Sequence, residues 1–362
     1  MDRRDFLKTT TGVAAAATVG GVAAEVAGAV PPSSATDALL TSPAIASGAR
    51  RFVLALPQSL DHLEVRTAVQ RLTRRLETAL PGPAQIFVQA TAESGLEAVS
   101  TGRADFYYGL DSQHAVYHPT LPVFAGMALG ENLRSTVLHA WLTAGNGREL
   151  WQTALGHADA VAFPAGHTGP GPGLYTDVAF ETGGDLKGVR IAARGIGADA
   201  LRLLGADVST HDTDGAGAIA ARGLAASEPL LTPFDAKAQW SYYPSVTHSG
   251  LLLSLGTRGS LWASLSTADR AVIEGVAAEA YLLAQTAAMQ RAVTLDQVRT
   301  MRRWPVETRM SDTLADEIRV AVAGVADGIA SDSALGARVI DSYRRFGDAM
   351  TSRRHRVGIP IG

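Results

Sequence analysis

The spacing of apolar positions changes repeatedly along the chain, and each change marks an element. Residues 51–56 (RFVLAL) form a compact apolar run stopped by Pro57 and predict a strand. Residues 60–80 carry apolar side chains near helical spacing with arginines on the other face, and Gly82-Pro83 ends them. Residues 85–89 (QIFVQ) predict a second strand, 94–100 a short helix and 105–109 (DFYYG) a third strand. Strands alternating with helices indicate parallel βαβ units. The middle of the chain repeats this pattern. Residues 189–193 and 206–210 read as strands, 197–204 as a helix ended by Gly205, and 215–222 as a short helix stopped by Gly223.

The last third reads as helical. Ser266 or Thr267 caps a run from 268 to about 299 with no proline. At ~1.5 Å per residue that run is roughly 45 Å long, enough to span both lobes of a two-lobed protein. A short strand is expected at 304–306, then amphipathic helices at 312–329 and 333–350.

Composition narrows the function classes. The 362 residues are 46% hydrophobic, which argues against disorder, and the net charge of −3 argues against a nucleic-acid partner. There is no cysteine, so thiol catalysis, cysteine-ligated metals and disulfides are excluded. The chain opens with Arg3-Arg4 and then Phe6-Leu7-Lys8, followed by a small-residue, mildly apolar stretch and Ala27-Gly28-Ala29. That order predicts a twin-arginine export signal over 1–29, cleaved near Ala29, and a periplasmic protein. Residues 30–48 read as a Ser/Pro/Ala-rich linker.

Three motifs carry candidate chemistry. Gly195, Gly197 and Ala200 form a G-x-G-x-x-A between a predicted strand and helix, the pattern of a dinucleotide turn or of a plain tight turn. Asp111, His114 and His118 have metal-ligand spacing if helical, but Pro119 favours a loop with ordinary histidines. His139 reads as a core or interface residue, and Arg71, Arg74 and Arg75 as a solvated helix face.

Longer segments carry a resemblance. They are residues 98–105 (AVSTGRAD), 140–151 with Gly145-Asn146-Gly147-Arg148-Glu149-Leu150-Trp151, 164–170 (PAGHTGP), 185–190 (DLKGVR), Glu228, Pro233-Phe234-Asp235 and Tyr242-Tyr243-Pro244. Their order and spacing are similar to those of the solute-binding proteins of tripartite (TRAP) transporters, in the subclass that binds 2-keto acids. The resemblance implies an α/β fold: a two-lobed, periplasmic-binding-protein-like clamp with mixed and parallel sheets, bridged by a long helix and followed by a helical C-terminal region. It implies lobe I at 49–133 plus about 223–262, lobe II at 134–222 plus about 300–310, a lobe-spanning helix at 266–299 and a C-terminal region at 311–362.

The resemblance further implies a small organic acid (keto, hydroxy or amino monocarboxylate) held between the lobes, a membrane permease as partner, and no catalysis. The C-terminal helices would permit a homodimer. The family's carboxylate-binding strand arginine falls at Ala192, and Arg194, two residues on and on the same strand face, is expected to replace it. Of the family's cation site, the glutamine falls at Gly171 and the tryptophan at Pro229, so no metal or cofactor is expected. The expected ligand-binding set is Arg194, Glu228, His167, Thr168 and Asp235, with Phe234, Tyr243 and Tyr108 as aromatic walls. Two alternatives stay open: a ligandless partner or sensor module on the same fold, and an exported NAD(P)-dependent oxidoreductase using the Gly195 turn.

Overall fold

A computed structural model describes residues 48–58, 63–127, 133–169, 171–172, 174–176, 179–193, 195–209, 240–243, 247–248, 250–302 and 306–357. The expected βαβ start is present. Strand β1 (Arg50–Pro57), helix α1 (Leu63–Ala79), β2 (Ala84–Thr91), α2 (Gly95–Ser100) and β3 (Phe106–Leu110) follow in order. The Ser94 hydroxyl caps α2 by accepting the Glu97 N–H at 3.2 Å. β1 pairs in parallel with both β2 and β3.

The sheet is completed by strands from far along the chain. β4 (Ala160–His167) and β11 (Leu252–Arg258) extend it to the order β2-β1-β3-β11-β4, with β11 antiparallel to both its neighbours. The sheet is therefore mixed. β4 sits in the same sheet as β1–β3, across the lobe boundary expected at 133.

Between β3 and β4 run α3 (Leu121–Ala125), α4 (Ser135–Thr143) and α5 (Gly147–Leu155). After β4 come the short strands β5 (Gly171–Pro172) and β6 (Tyr175–Thr176), then β7 (Arg190–Ala192), α6 (Gly195–Leu203) and β8 (Asp207–Ser209). β7 and β8 pair in parallel, as the alternating pattern predicts. β9 (Trp240–Tyr243) joins β6 and the later β12 (Val306–Arg309), and β10 (Thr247–His248) pairs with β5. The helix expected at 215–222 lies outside the described residues. The strand expected at 304–306 is β12, displaced to 306–309.

The long helix is α8 (Thr267–Arg302), preceded by α7 (Gly259–Ser264). Its start is a reciprocal cap. The Ser266 hydroxyl accepts the Asp269 N–H at 3.1 Å, and the Asp269 carboxylate accepts the Ser266 N–H at 3.3 Å. Arg50 pairs with the same carboxylate at 2.8 Å and so ties α8 to β1. Helices α9 (Asp312–Asp332) and α10 (Ala334–Val357) pack on each other and back onto α4–α6. Trp141 of α4 donates to Ser342 of α10 at 2.9 Å, so the C-terminal helices are part of this chain's own core. Among the described residues no helix is long and apolar enough to cross a membrane.

Alternation along the strands divides the core in two. Leu54, Leu56, Phe106, Tyr108 and Leu110 face α1 and α8, whereas Ala55 and Tyr107 face the opposite layer with Trp141 and Trp151.

Candidate functional site

On the α1–α8 face the two helices stand over the ends of β3 and β4 and enclose a cavity of about 530 Å³. Small side chains make the room. α8 presents Ala280, Ala284 and Ala287 to it at helical spacing, and α1 presents Val65, Ala68 and Leu72. At its border Arg75 of α1 and Glu279 of α8 pair at 2.9 Å across the two helices.

The floor carries Tyr108 of β3, His167 at the end of β4, and Leu253 of β11. Two of the expected ligand-binding residues therefore meet at one cavity, although 59 positions separate them in sequence. The Tyr108 hydroxyl donates to the Ala165 carbonyl at 3.4 Å, and burial pushes its phenol well above the usual range, so it stays neutral. Gly166 makes this placement possible, because a Cβ there would lie 2.0 Å from the Tyr108 oxygen. His167 accepts the Gly169 N–H at Nδ1, 3.0 Å away, which places the proton of the neutral ring on Nε2. Its ring meets Tyr281 of α8 edge-on at 6.2 Å.

Thr168 is tied to the main chain of Leu251. Its hydroxyl accepts the Leu251 N–H at 2.7 Å and its own N–H donates to the Leu251 carbonyl at 2.9 Å, so it pins β4 to the start of β11. It is not among the residues lining the cavity. Arg194, Glu228, Phe234 and Asp235 lie outside the described residues. Tyr243 is the last residue of β9, and its side chain lies outside what is described. Ala192 ends β7 opposite Ser209, and Gly171 opens β5 opposite His248. Pro229 also lies outside the described residues.

The other motifs are absorbed by packing. The Asp111 carboxylate accepts the Trp151 indole N–H at 2.6 Å and the Tyr107 hydroxyl at 3.2 Å, and His114 Nδ1 stands 3.3 Å away. All these groups are buried. His118 instead bonds Thr120 at 2.8 Å, and its ring lies tilted against that of His157 with centroids 4.7 Å apart. Among the described residues no group of three or more His, Asp or Glu could hold a metal. Gly195 has a φ of +60° at the start of α6, and a Cβ there would come within 3.0 Å of the Ser112 Cβ. Its glycine is accounted for by the turn and by that close approach. His139 stacks on Tyr281 at 4.1 Å, which makes it the core contact expected of it.

Arg71 is exposed, as expected of a solvated helix face, and it also borders the cavity, which the solvated-face reading does not foretell. The signal was available: Arg71 lies three residues after Ala68 and next to Leu72, at the edge of the α1 stripe that faces α8.

Comparison with known proteins agrees with this architecture. Residues 1–20 match the TAT (twin-arginine translocation) pathway signal sequence. A monocarboxylate 2-oxoacid-binding periplasmic protein of Nostoc sp. (strain PCC 7120) is 24% identical over 194 residues, covering 52% of this chain and 53% of that protein. The match thus spans about half the length of that relative. Among solved structures, a TRAP periplasmic solute-binding protein from Pseudoalteromonas atlantica with bound sodium and pyruvate has a TM-score of 0.76 at 16% identity, over 84% of this chain and 96% of that one. One from Colwellia psychrerythraea with bound calcium and pyruvate has a TM-score of 0.76 at 17% identity, over 84% and 96%. A TRAP transporter solute-binding protein from Bordetella bronchiseptica with calcium and picolinate has a TM-score of 0.74 at 16% identity, over 85% and 94%. The chain therefore has the fold of the TRAP periplasmic solute-binding proteins, as the sequence resemblance implies, and begins with a twin-arginine export signal.

Proposed function

We propose that this chain is a periplasmic solute-binding protein of the TRAP type, which captures a small organic acid and delivers it to a membrane permease. The observation that carries the reading is the cavity at the ends of β3 and β4, which brings His167 and Tyr108 together beneath α8. A concave, largely apolar site with a few polar groups is the usual form of a small-molecule pocket. The export signal and the fold support the same reading. In this reading the protein acts by binding alone.

In this reading the lobes are those the sequence implies, with β4 assigned to lobe I because it hydrogen-bonds to β11. The leader is cleaved near Ala29. Arg194 from lobe II, with Glu228, Phe234, Asp235 and Tyr243 from the 223–262 part of lobe I, completes the site. The ligand closes the protein because it contacts both lobes only in the closed state, so its binding energy shifts the population toward that state. The acid is held without a bridging cation. Gly171 brings no side-chain oxygen to the position where the resemblance has a glutamine, and a single carboxylate at Glu228 is a poor hard-cation site.

The thermal midpoint of the purified protein tests this against 2-keto, hydroxy, amino and dicarboxylic acids, each with and without sodium and calcium, and against NAD(P). A ligand at 100 times its dissociation constant adds about 2.7 kcal/mol, a shift of roughly a degree or more. A cation-independent shift with an acid is expected. No shift with any acid overturns the reading, and a shift with NAD(P) alone replaces it with the oxidoreductase.

A further inference from the structure

We propose that the outward face of α8 is a two-fold interface on which a second copy of this chain packs, its α8 antiparallel to the first. The inference concerns assembly and does not depend on the ligand.

This face is apolar where a solvated helix ordinarily carries charge. From residue 271 to residue 293, about 33 Å of helix, the positions that share the outward side of α8 at helical spacing hold no charged side chain. Leu282 and Met289 on this stripe are each 68% exposed, and Val293 is 59% exposed. An apolar stripe of this length with polar borders marks a contact surface. The acidic residues at its two edges are used inward. Glu274 pairs with Arg148 of α5 at 3.0 Å, and Glu279 with Arg75 of α1 at 2.9 Å.

The order of side chains along the stripe selects the partner. Its first half is small, with Ala271, Gly275 and Ala278, and its second half is larger, with Thr286, Met289 and Val293. Leu282 lies at the centre, and each half holds positions four, seven and eleven residues from it. A two-fold axis at Leu282 with antiparallel helices therefore sets Ala271 against Val293, Gly275 against Met289 and Ala278 against Thr286. Every layer then has a small residue opposite a larger one, and the two Leu282 side chains meet at the axis. A parallel pair would leave gaps at the small end and crowd the large end. With this axis the two copies of Glu274 stand about 24 Å apart along the helices and those of Glu279 about 9 Å, each beside its own arginine, so no like charges meet.

Gly275 is the second observation. A glycine within a helix weakens it relative to alanine, and a Cβ at this position would meet nothing within 4 Å, so the chain's own packing does not call for one. A facing methionine, long and adaptable, does. Thr286 donates its hydroxyl back to the Leu282 carbonyl at 3.1 Å and so brings no unsatisfied donor to an apolar contact. The C-terminal helices, by contrast, are committed to α4–α6 of their own chain. One helix face is small for a stable interface, which takes about 800 Å² from each partner, so a reversible dimer in the micromolar range is expected.

The experiment is sedimentation equilibrium of the purified full chain across the micromolar range, where a reversible monomer–dimer equilibrium is expected. Leu282→Asp sets two carboxylates against each other at the axis and should weaken the dimer at least tenfold. The melting midpoint of the monomer should hold, because this side chain is exposed. Ala271→Lys and Val293→Glu should each weaken the dimer alone. Carried together in one chain they should restore it above either single variant, because the antiparallel register places each new ammonium against a new carboxylate. A dimer that Leu282→Asp leaves intact, or a double variant weaker than both single ones, would overturn the inference. A chain that stays monomeric throughout the range would also overturn it and leave the stripe to a different partner.

Discussion

The two faces of the five-stranded sheet use the same kind of strands and finish them differently. On the α3–α5 side, large aromatic side chains fill the space. Phe124 stacks on Trp141 at 5.5 Å, Tyr343 meets Trp141 edge-on at 5.2 Å, and both buried tryptophan N–H groups have acceptors, Ser342 and Asp111. On the α1–α8 side, Phe52, Phe106 and Leu76 pack tightly near the helix bases, but alanines at 280, 284 and 287 stop short of the sheet's end. The first face is closed by size and by satisfied hydrogen bonds. The second is left open by small residues. The cavity is thus made by withholding volume on one face while the other supplies the stability.

The comparison breaks most clearly at Trp151. Trp151→Ala removes a buried ring and leaves the Asp111 carboxylate short of a donor, so a loss of about 3–5 kcal/mol is expected in urea unfolding. Gly256→Ala sharpens the same point, because its Cβ would lie 2.0 Å from the Tyr107 ring on the packed face. Overpacking there should cost about 1–3 kcal/mol by the same assay. Asp269→Ala removes the carboxylate half of the α8 cap and the Arg50 pair together, leaving the Ser266 hydroxyl on the residue-269 N–H, and about 1 kcal/mol is expected from the denaturation midpoint. On the open face, Leu283→Ala should cost less than about 1 kcal/mol, since the side chain borders empty space and is half-buried. A loss as large as that of Trp151→Ala would show that the cavity face is as tightly packed as its opposite.

The smallest effect is on pH dependence. Burial holds the His139 imidazole below its ordinary value. The folded state then favours the neutral ring, so its contribution is complete above the unfolded value of about 6.5 and is lost as pH falls through the folded value. His139→Phe keeps the stack on Tyr281 and removes the titration, so the decline in melting midpoint on acidification should become shallower than in the parent chain.

Much of this architecture was legible from local signals. The β1–α1–β2–α2–β3 start reads directly from strand runs, breakers and the short helix at 94–100, and the long helix from its Ser266 or Thr267 cap and a proline-free run. β11 was not legible. Its run LLLSLGT is apolar throughout, since both faces of a central strand are buried, and periodicity then cannot separate strand from helix. β4 escaped for a similar reason, because its pairing partner lies about 90 residues later in the chain. At the site, His167 and Tyr108 were expected from the resemblance and line the described cavity, whereas Thr168 was expected with them and does not line it. A hydroxyl in a motif looks the same whether it meets a ligand or a neighbouring N–H.

The sequence by itself determined the export signal, the alternation of strands and helices, and the start and stop of the long helix. Each of these depends on neighbouring residues, whose caps, breakers and periods act over a few positions. The tertiary structure alone decided that α1 and α8 would face each other over the ends of β3 and β4, and that Arg71 would line their cavity while Arg75 was neutralised by Glu279. Those outcomes join residues some 200 positions apart, and a charge along a helix is solvated, paired or available to a ligand according to what the rest of the chain places opposite it.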